Sequence, residues 1–168
     1  PEYEYINISK YRMWNFSTTN QFRKDNLTVN IGASLIGVSQ DIGNQVFSSN
    51  DQFLYSFNLN ASVSYKVPKW KTILSGYYKH NGRTQQFIQG ASEYVISEID
   101  PSNWLDASIR KNFFKERFEA TIGARNILDI SDVNQSNTNQ SAGHAGSSQV
   151  MLAYGRSYFF KLAYNFNL

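Results

Sequence analysis

The chain has 168 residues, a length that fits one ordinary domain, and 41% of the residues are hydrophobic and 15% aromatic. It contains no cysteine, which excludes disulfides, thiolate nucleophiles and cysteine-ligated metals. The formal net charge of +3 is too small to indicate a nucleic-acid partner, and no run approaches the roughly 18 consecutive apolar residues of a transmembrane helix.

The dominant pattern along the chain is strict alternation of apolar and polar side chains, which is typical of a β-strand with one apolar face. The clearest case is FLYSFNLNASVSYKV, residues 53–67, where the residues between the apolar ones are mostly Ser and Asn. No segment shows the 3.6-residue period of an amphipathic helix. The pattern predicts an all-β chain with these strands: A at about 11–22, B at 27–38, C at 53–67, D at 70–80, E at 104–113, F at 118–126 and G at 152–168.

Strand G carries eight alternating apolar positions, as many as strand C. Its alternating positions are Leu152, Tyr154, Tyr158, Phe160, Leu162, Tyr164, Phe166 and Leu168. The stripes of the five remaining strands are shorter but of the same kind: Trp14, Phe16, Thr18 and Phe22 in A, Leu27 to Leu35 in B, Trp70 to Tyr78 in D, Leu105 to Phe113 in E, and Phe118 to Ala124 in F. Every predicted strand therefore has one apolar face.

The connections between the strands alternate in length. Those at 23–26, 68–69 and 114–117 are short and rich in charged, Asn or Pro residues, as tight turns are. Those at 39–52, 81–103 and 127–149 are long and polar, and the last is nearly low-complexity and expected to be mobile. Short turns on one rim and long loops on the other are typical of outer-membrane barrels, so we expect periplasmic turns and extracellular loops.

Three features favour a face in contact with lipid over the core of a soluble β-sandwich, which is the alternative. Strands C and G exceed the roughly 9 to 11 residues that cross a membrane. The polar faces of A and C are Ser, Asn, Thr and Gln, which suits a lumen. Aromatic residues cluster at the strand ends, as at the two interfaces of a bilayer: Tyr11, Trp14, Phe53, Tyr78 and Tyr154 at the loop end, and Phe22, Tyr65, Trp70, Phe113, Phe118 and Phe166 at the turn end.

The predicted orientation has a consequence for the extent of the barrel. If strand G ends in the periplasm, strand A also runs inward, which places Pro1 outside the cell. Bacterial single-chain barrels have an even number of strands and both ends in the periplasm. We therefore expect residues 1–168 to be a single partial outer-membrane domain, an antiparallel transmembrane β-barrel segment of about seven strands, with earlier strands preceding it.

Two segments near the C-terminus carry a family resemblance. WLDASIRKNFFKERFEATIGARNILDI, residues 104–130, resembles the penultimate hairpin of TonB-dependent receptors. In that hairpin a basic turn leads into a strand ending in an Asn-Leu-Phe-Asp-like motif, which here reads Asn126, Ile127, Leu128 and Asp129. Ile127 and Leu128 replace the usual Leu-Phe pair.

The closing YGRSYFFKLAYNFNL, residues 154–168, is similar to the last strand of the same family. Gly155 and Arg156 lead into the alternating aromatics, and Asn167 and Leu168 follow Phe166 where an aromatic end is common. The style is closest to receptors and related barrels of Bacteroidota, including the SusC-like nutrient importers.

The resemblance implies a plugged barrel of about 22 strands that imports a siderophore, glycan, peptide or similar nutrient. The implied partners are outer-membrane lipid, an N-terminal barrel and plug, the TonB complex and a surface lipoprotein, with no cofactor and no nucleic acid. The alternative is a barrel that transports nothing and serves a structural, secretion or adhesion role. An upstream plug with a TonB-box-like segment would distinguish the two.

Other candidate residues each have a plainer interpretation. His80 and His144 lack a spaced partner and read as solvated loop residues, so we expect no metal site. Asp129 and Asp132, with Asn134, could hold Ca²⁺ but lack a full loop signature. Phe47 and Tyr94 are candidate ligand contacts in the loops. No Ser/His/Asp arrangement or phosphate loop occurs, so we expect no enzyme. The basic residues near the turns either meet lipid head groups or lie in solvent: Arg23, Lys24, Lys66, Lys69, Lys71, Lys111, Lys115 and Arg117.

Overall fold

The computed structural model describes residues 8–42, 53–89, 94–114, 117–137 and 148–166. These residues form strands and one short 3-10 helix, as follows: β1 (Ile8–Lys24), β2 (Leu27–Ile42), β3 (Leu54–Val67), η1 (Pro68–Trp70), β4 (Thr72–Asn81), β5 (Thr84–Gln89), β6 (Tyr94–Ile99), β7 (Ser102–Phe113), β8 (Phe118–Arg125), β9 (Asp132–Asn137), β10 (Ser148–Met151) and β11 (Ser157–Tyr164). Within these ranges, no helix has both the length and the apolar character needed to cross a membrane.

The main element is a 7-stranded antiparallel sheet in the order β1-β2-β3-β4-β7-β8-β11. Its strands correspond one by one to the predicted strands A to G, which confirms the all-β antiparallel prediction. Strands β1 and β2 extend beyond the predicted limits, so the turn between them shortens to Asp25 and Asn26. Asp25 takes a φ of 49°, a left-handed conformation that Asp tolerates in tight turns. β1 and β11 form the two edges of this sheet.

Register places the predicted apolar positions of all these strands on one face. A single row across the sheet pairs Leu27 with Tyr65, Tyr65 with Leu74, Leu74 with Ile109, Ile109 with Ile122, and Ile122 with Phe160. Most of these side chains are exposed, and Val133 is the only buried hydrophobic residue in the described part of the chain. No second sheet covers the stripe within that part, so the sandwich alternative finds no support.

A second, 4-stranded sheet has the order β10-β9-β6-β5. The long connections at 81–103 and 127–149 were predicted as loops, and that prediction is wrong for their strand portions. β5 and β6 form one hairpin, β9 and β10 form another, and β6 pairs with β9 through Ser97↔Asn137 to Ile99↔Gln135. β5 and β9 are mainly polar, while β6 and β10 have adjacent apolar residues, so none of the four shows the strict alternation that identified the other strands. Residues 138–147, the centre of the low-complexity segment, lie outside the described residues.

Predicted strand G, at 152–168, is also corrected. The strand proper is β11, of 8 residues, and residues 152–156 separate it from β10. The break arises because the backbone N–H groups of Leu152 and Ala153 both donate to the carbonyl of Ser131, and because Gly155 takes a φ of +68°. Neither arrangement belongs to a strand ladder, although the apolar alternation continues through it.

Candidate functional site

The polar face of the 7-stranded sheet carries a hydrogen-bonded row of uncharged side chains. Gln21 Nε2 donates to Asn30 Oδ1 at 2.9 Å, and Asn30 Nδ2 donates to Ser62 Oγ at 3.0 Å. Register continues this row through Tyr77 on β4 and Asp106 on β7. Because Gln21, Asn30 and Ser62 are bonded in sequence, these three side chains present an ordered set of donors and acceptors to the space beside them.

A groove of about 380 Å³ lies on this face, between β3, β4, β7 and β8. It is open to solvent and is lined by serine hydroxyls, one phenol, one carboxylate, one guanidinium and one phenyl ring. These belong to Ser62, Ser64, Ser75, Ser108, Tyr77, Asp106, Arg125 and Phe159. The lining also includes Val63, Gly76, Ala107 and Ala124, which form one row whose side-chain positions face the apolar side of the sheet. A groove of this size, with a few polar groups on an otherwise apolar surface, can hold a small molecule.

The charged side chains of the groove are held in place by contacts with neighbouring strands. Asp106 Oδ1 accepts a hydrogen bond from the backbone N–H of Asn126 at 2.8 Å. The Arg125 guanidinium carbon lies 5.0 Å from the centroid of the Phe159 ring, within the range of a cation–π contact. Tyr77 Oη donates to Asn60 Oδ1 at 3.3 Å. The arrangement places a carboxylate, a guanidinium, a phenol and a phenyl ring along one groove.

The family-motif residues, Asn126 to Asp129, form a bend where β8 ends. Asn126 is 1% exposed and takes a φ of 51°. Its side chain closes a ring with the backbone of Ile130, donating from Nδ2 to the carbonyl at 2.8 Å and accepting from the N–H at 3.1 Å. The N–H of Ile127 donates to the carbonyl of Leu105 at 2.7 Å. Leu128 is exposed. These contacts are made within the protein, so they assign the motif a structural role.

Asp129 joins this bend to the entrance of β11. Asp129 takes a φ of 60°, and its Oδ1 accepts from the backbone N–H of Arg156 at 2.7 Å. Arg156 Nε donates to the carbonyl of Ile127 at 3.0 Å. The two halves of the family resemblance, at 126–129 and 155–156, therefore meet as one unit. We call Asn126–Asp129 together with Gly155 and Arg156 the junction.

Some aromatic residues at the strand ends contact one another, while their position at a bilayer interface stays a prediction. At the turn end, ring centroids are separated by 5.6 Å for Phe114 and Phe118, 4.7 Å for Phe118 and Tyr164, and 4.6 Å for Tyr164 and Phe166. At the loop end, Trp14 and Tyr55 lie 5.8 Å apart, edge to face. All five C-terminal strand residues are exposed on the apolar face or just beyond it: Tyr158, Phe160, Leu162, Tyr164 and Phe166.

Two predicted members of the girdle differ from the rest. Tyr154 is fully exposed and lies in the break before β11. The side chain of Tyr11 lies outside the described residues, as do Leu168 and residues 43–52, which include Phe47.

The candidate metal ligands are engaged in other contacts. His80 Nδ1 lies 2.8 Å from Asn103 Oδ1, and the His80 ring lies beside Phe57. Asp132 Oδ1 accepts from the Ser131 hydroxyl, and Asn134 Nδ2 donates to Asp100. No cluster of three or more His, Cys, Asp or Glu side chains suited to a metal ion occurs in the ranges that the structure describes. His144 and the side chain of Tyr94 lie outside them.

Sequence reasoning missed the residues that shape the groove. Asp106, Arg125 and Tyr77 lie on faces read only as polar, and Phe159 is the aromatic residue of β11 that points away from the apolar stripe. The signal that could have identified them is the break in pattern, because a charge among Ser and Asn, or a phenyl ring on a polar face, is unusual there.

One comparison with known proteins found a match. A family model described as "Outer membrane protein beta-barrel family" matches residues 2–164. The match extends through every described strand, to the end of β11. Neither a curated protein nor a solved structure matches the chain.

Proposed function

The chain belongs to the outer membrane protein beta-barrel family, and from that premise we propose that it forms part of the wall of a TonB-dependent receptor importing a nutrient. Membership places the protein in the bacterial outer membrane and gives the apolar face a partner, the hydrocarbon of the bilayer. The polar face then lines the lumen. Under the proposal the turns are periplasmic and the loops extracellular.

The observation that carries the proposal is the groove behind the lipid-facing wall. Its serines, Tyr77, Asp106 and Arg125 offer hydrogen-bond donors and acceptors to a polar solute, and Phe159 offers a flat apolar surface. The junction supports the proposal further, because it is built from the residues that resemble the receptor family. Import also requires partners, and we propose an N-terminal barrel and plug, the TonB complex and a surface lipoprotein.

A second candidate function is a non-transporting role in adhesion, secretion or assembly. The observation that favours it is the 4-stranded sheet formed by the long connections. An ordered sheet at the loop end, with backbone pairing between two hairpins, offers a surface on which another protein can dock.

The test compares growth of three strains on a panel of sole iron, glycan and peptide sources. One strain carries the full-length protein, one lacks it, and one lacks TonB. The proposal predicts that at least one nutrient supports growth of the strain with the full-length protein but of neither mutant strain. Undiminished growth of the strain without the protein on every source, together with a defect in surface attachment, would favour the second function.

A matched pair of variants links uptake to the groove. Asp106→Asn combined with Arg125→Gln removes both groove charges, and we expect uptake of the identified nutrient to fall at least about tenfold if both contact it. Lys24→Gln combined with Asp25→Asn also removes one positive and one negative charge, lies outside the groove lining, and should leave uptake near that of the parent. Equal uptake by the two variants would show that the groove charges do not contribute to transport.

A further inference from the structure

The polar face of the 7-stranded sheet carries a row of basic residues beside the groove, on its turn side. Register aligns one residue from each of five neighbouring strands in this row: Lys66, Ile73, Arg110, Thr121 and Lys161. The three cations stand on every second strand, roughly 10 Å apart at the backbone. The row lies two residues along the strands from the groove serines, a separation of about 6 to 7 Å. We call Lys66, Arg110 and Lys161 the basic row.

Few acidic groups offset the charge of the basic row. The five strands that carry it contain only two acidic residues, Asp106 and Glu119. Glu119 pairs with Arg110 at 3.6 Å, and Asp106 accepts a hydrogen bond from a backbone N–H. Lys66 and Lys161 are exposed, and neither forms an ion pair with any residue that the structure describes. The space above this part of the polar face therefore has a positive potential.

Arg125 adds a cation inside the groove, and an aromatic contact positions it. Register pairs Phe159 with Gly123, and a Cβ on Gly123 would lie 2.6 Å from two atoms of the Phe159 ring. The ring thus lies across Gly123, in space that a larger side chain would occupy. The Arg125 guanidinium carbon lies 5.0 Å from the centroid of that ring, and Arg125 forms no ion pair with the residues described. A guanidinium held in this way suits a carboxylate or a phosphate.

We propose that the groove binds a small solute with two acid groups, which contact Arg125 at one end and Lys66 and Lys161 at the other. Arg125 lies four residues along β8 from the basic row, so roughly 13 Å separates the two sets of cations at the backbone. The groove serines lie between them. Charge complementarity selects the occupant, because cations without ion-pair partners form strong hydrogen bonds with ionised acceptors.

The inference rests on the proposed function and deepens it, since it gives the chemical class of the solute that the lumen-facing groove takes. The test is isothermal titration calorimetry of the full-length protein in detergent with two probes of similar shape, terephthalate and the neutral 1,4-benzenedimethanol. We expect terephthalate to bind at least about tenfold more tightly, because only the dianion forms charge-assisted hydrogen bonds. Higher salt should weaken terephthalate binding and leave the diol unaffected. Equal affinity for the two probes, or no binding of terephthalate, would overturn the proposal.

A matched pair of variants assigns the binding to the basic row. Lys66→Gln combined with Lys161→Gln should weaken terephthalate binding by about tenfold, and Lys66→Arg combined with Lys161→Arg should retain it. Lys24→Gln combined with Lys111→Gln removes the same charge from the turn end of the sheet, but these two lysines lie on the apolar face. This control should bind terephthalate like the parent. Equal losses in the two glutamine variants would contradict the assignment to the polar face.

Calorimetry also separates the anionic solute from nutrient import, because binding in detergent needs neither TonB nor energy. A preference for terephthalate, in a protein whose loss leaves growth unchanged on every nutrient, would refute import alone. Growth that depends on the protein and on TonB, without a preference between the probes, would refute the anionic solute alone. Carbodiimide cross-linking of Lys161 to an acidic residue outside residues 1–168 would assign the basic row to another part of the polypeptide and overturn the proposal.

Discussion

Asn126 shows how one buried polar side chain can hold a strand end in place. Its amide satisfies both backbone groups of Ile130, and its own N–H is satisfied by Asp106. Asn also tolerates the left-handed backbone better than most residues do. The side chain thus supplies partners that a continued strand would have supplied, and this explains why the strand stops there.

Replacing Asn126 with Ala should destabilise the protein. The substitution leaves the N–H and carbonyl of Ile130 without their partners, and each buried unsatisfied group costs about 1 to 3 kcal/mol. We expect the free energy of unfolding to fall by about 2 to 4 kcal/mol, measured by urea titration of the full chain in detergent micelles. Leu128→Ala, which truncates an exposed neighbour in the same bend, should change it by about 0.5 kcal/mol or less. Equal losses for the two variants would contradict the structural role of Asn126.

Gly155 should also resist substitution, for a backbone reason. At a φ of +68° an L side chain costs about 1 to 2 kcal/mol, and a Cβ there would lie 3.0 Å from Asp129 Oδ1. Gly155→Ala should therefore lower the urea midpoint. Gly32→Ala is the matched control, because its Cβ would meet nothing closer than 3.7 Å, and it should be neutral or stabilising by up to about 1 kcal/mol. A neutral Gly155→Ala would show that the left-handed turn is not required.

Alternation of apolar and polar residues predicts some features of the site and not others. The pattern records which face a residue occupies, so it identified the exposed aromatics of β11. It does not record which polar residues converge, since that depends on register between strands distant in sequence, such as Ser62 and Asp106. The motif at 126–129 was recognised by resemblance, but its role as a bend follows only from its hydrogen bonds.

At the scale of elements, the strands with a continuous apolar stripe were the predictable ones. β3 matches its predicted range to within one residue at its start, because its alternation is uninterrupted from Tyr55 to Val67. β11 was predicted too long because the stripe continues through Tyr154, while the backbone leaves the ladder to bond Ser131. β5 and β9 were missed because they are mainly polar, and β6 and β10 because their apolar residues stand next to one another and show no strict alternation.

Opposite faces of β3 should respond differently to a buried charge. Val63 lies on the apolar face near the middle of the strand, and Ser64 follows it on the polar face. Val63→Arg should destabilise the folded barrel by about 2 to 4 kcal/mol, the cost of a cation near the bilayer midplane. Ser64→Arg should cost far less. The measurement is urea-driven unfolding in phospholipid vesicles, and a larger loss for Ser64→Arg would reverse the assignment of the faces.

At the scale of the whole molecule, the sheet has one side for hydrocarbon and one for water. The chain contains no cysteine, so single spin labels can be introduced without background. Labels at Val63→Cys and Phe160→Cys should be relaxed more by oxygen, which concentrates in lipid, than by a water-soluble nickel chelate. Labels at Ser64→Cys and Thr121→Cys should show the opposite preference. The readout is the electron paramagnetic resonance accessibility of the full chain in vesicles, and matching preferences at all four positions would argue against a bilayer-facing wall.

The pairing of β6 with β9 has a mechanical consequence. Those strands belong to different hairpins, and they are joined by the short seam from Ser97↔Asn137 to Ile99↔Gln135. Ser97 is fully buried, and its hydroxyl accepts a hydrogen bond from Gln135 Nε2 at 2.7 Å. This side-chain bond adds to the backbone pairing between β6 and β9. A force applied to either hairpin is therefore transmitted to the other through this seam. We expect the two hairpins to move as one unit.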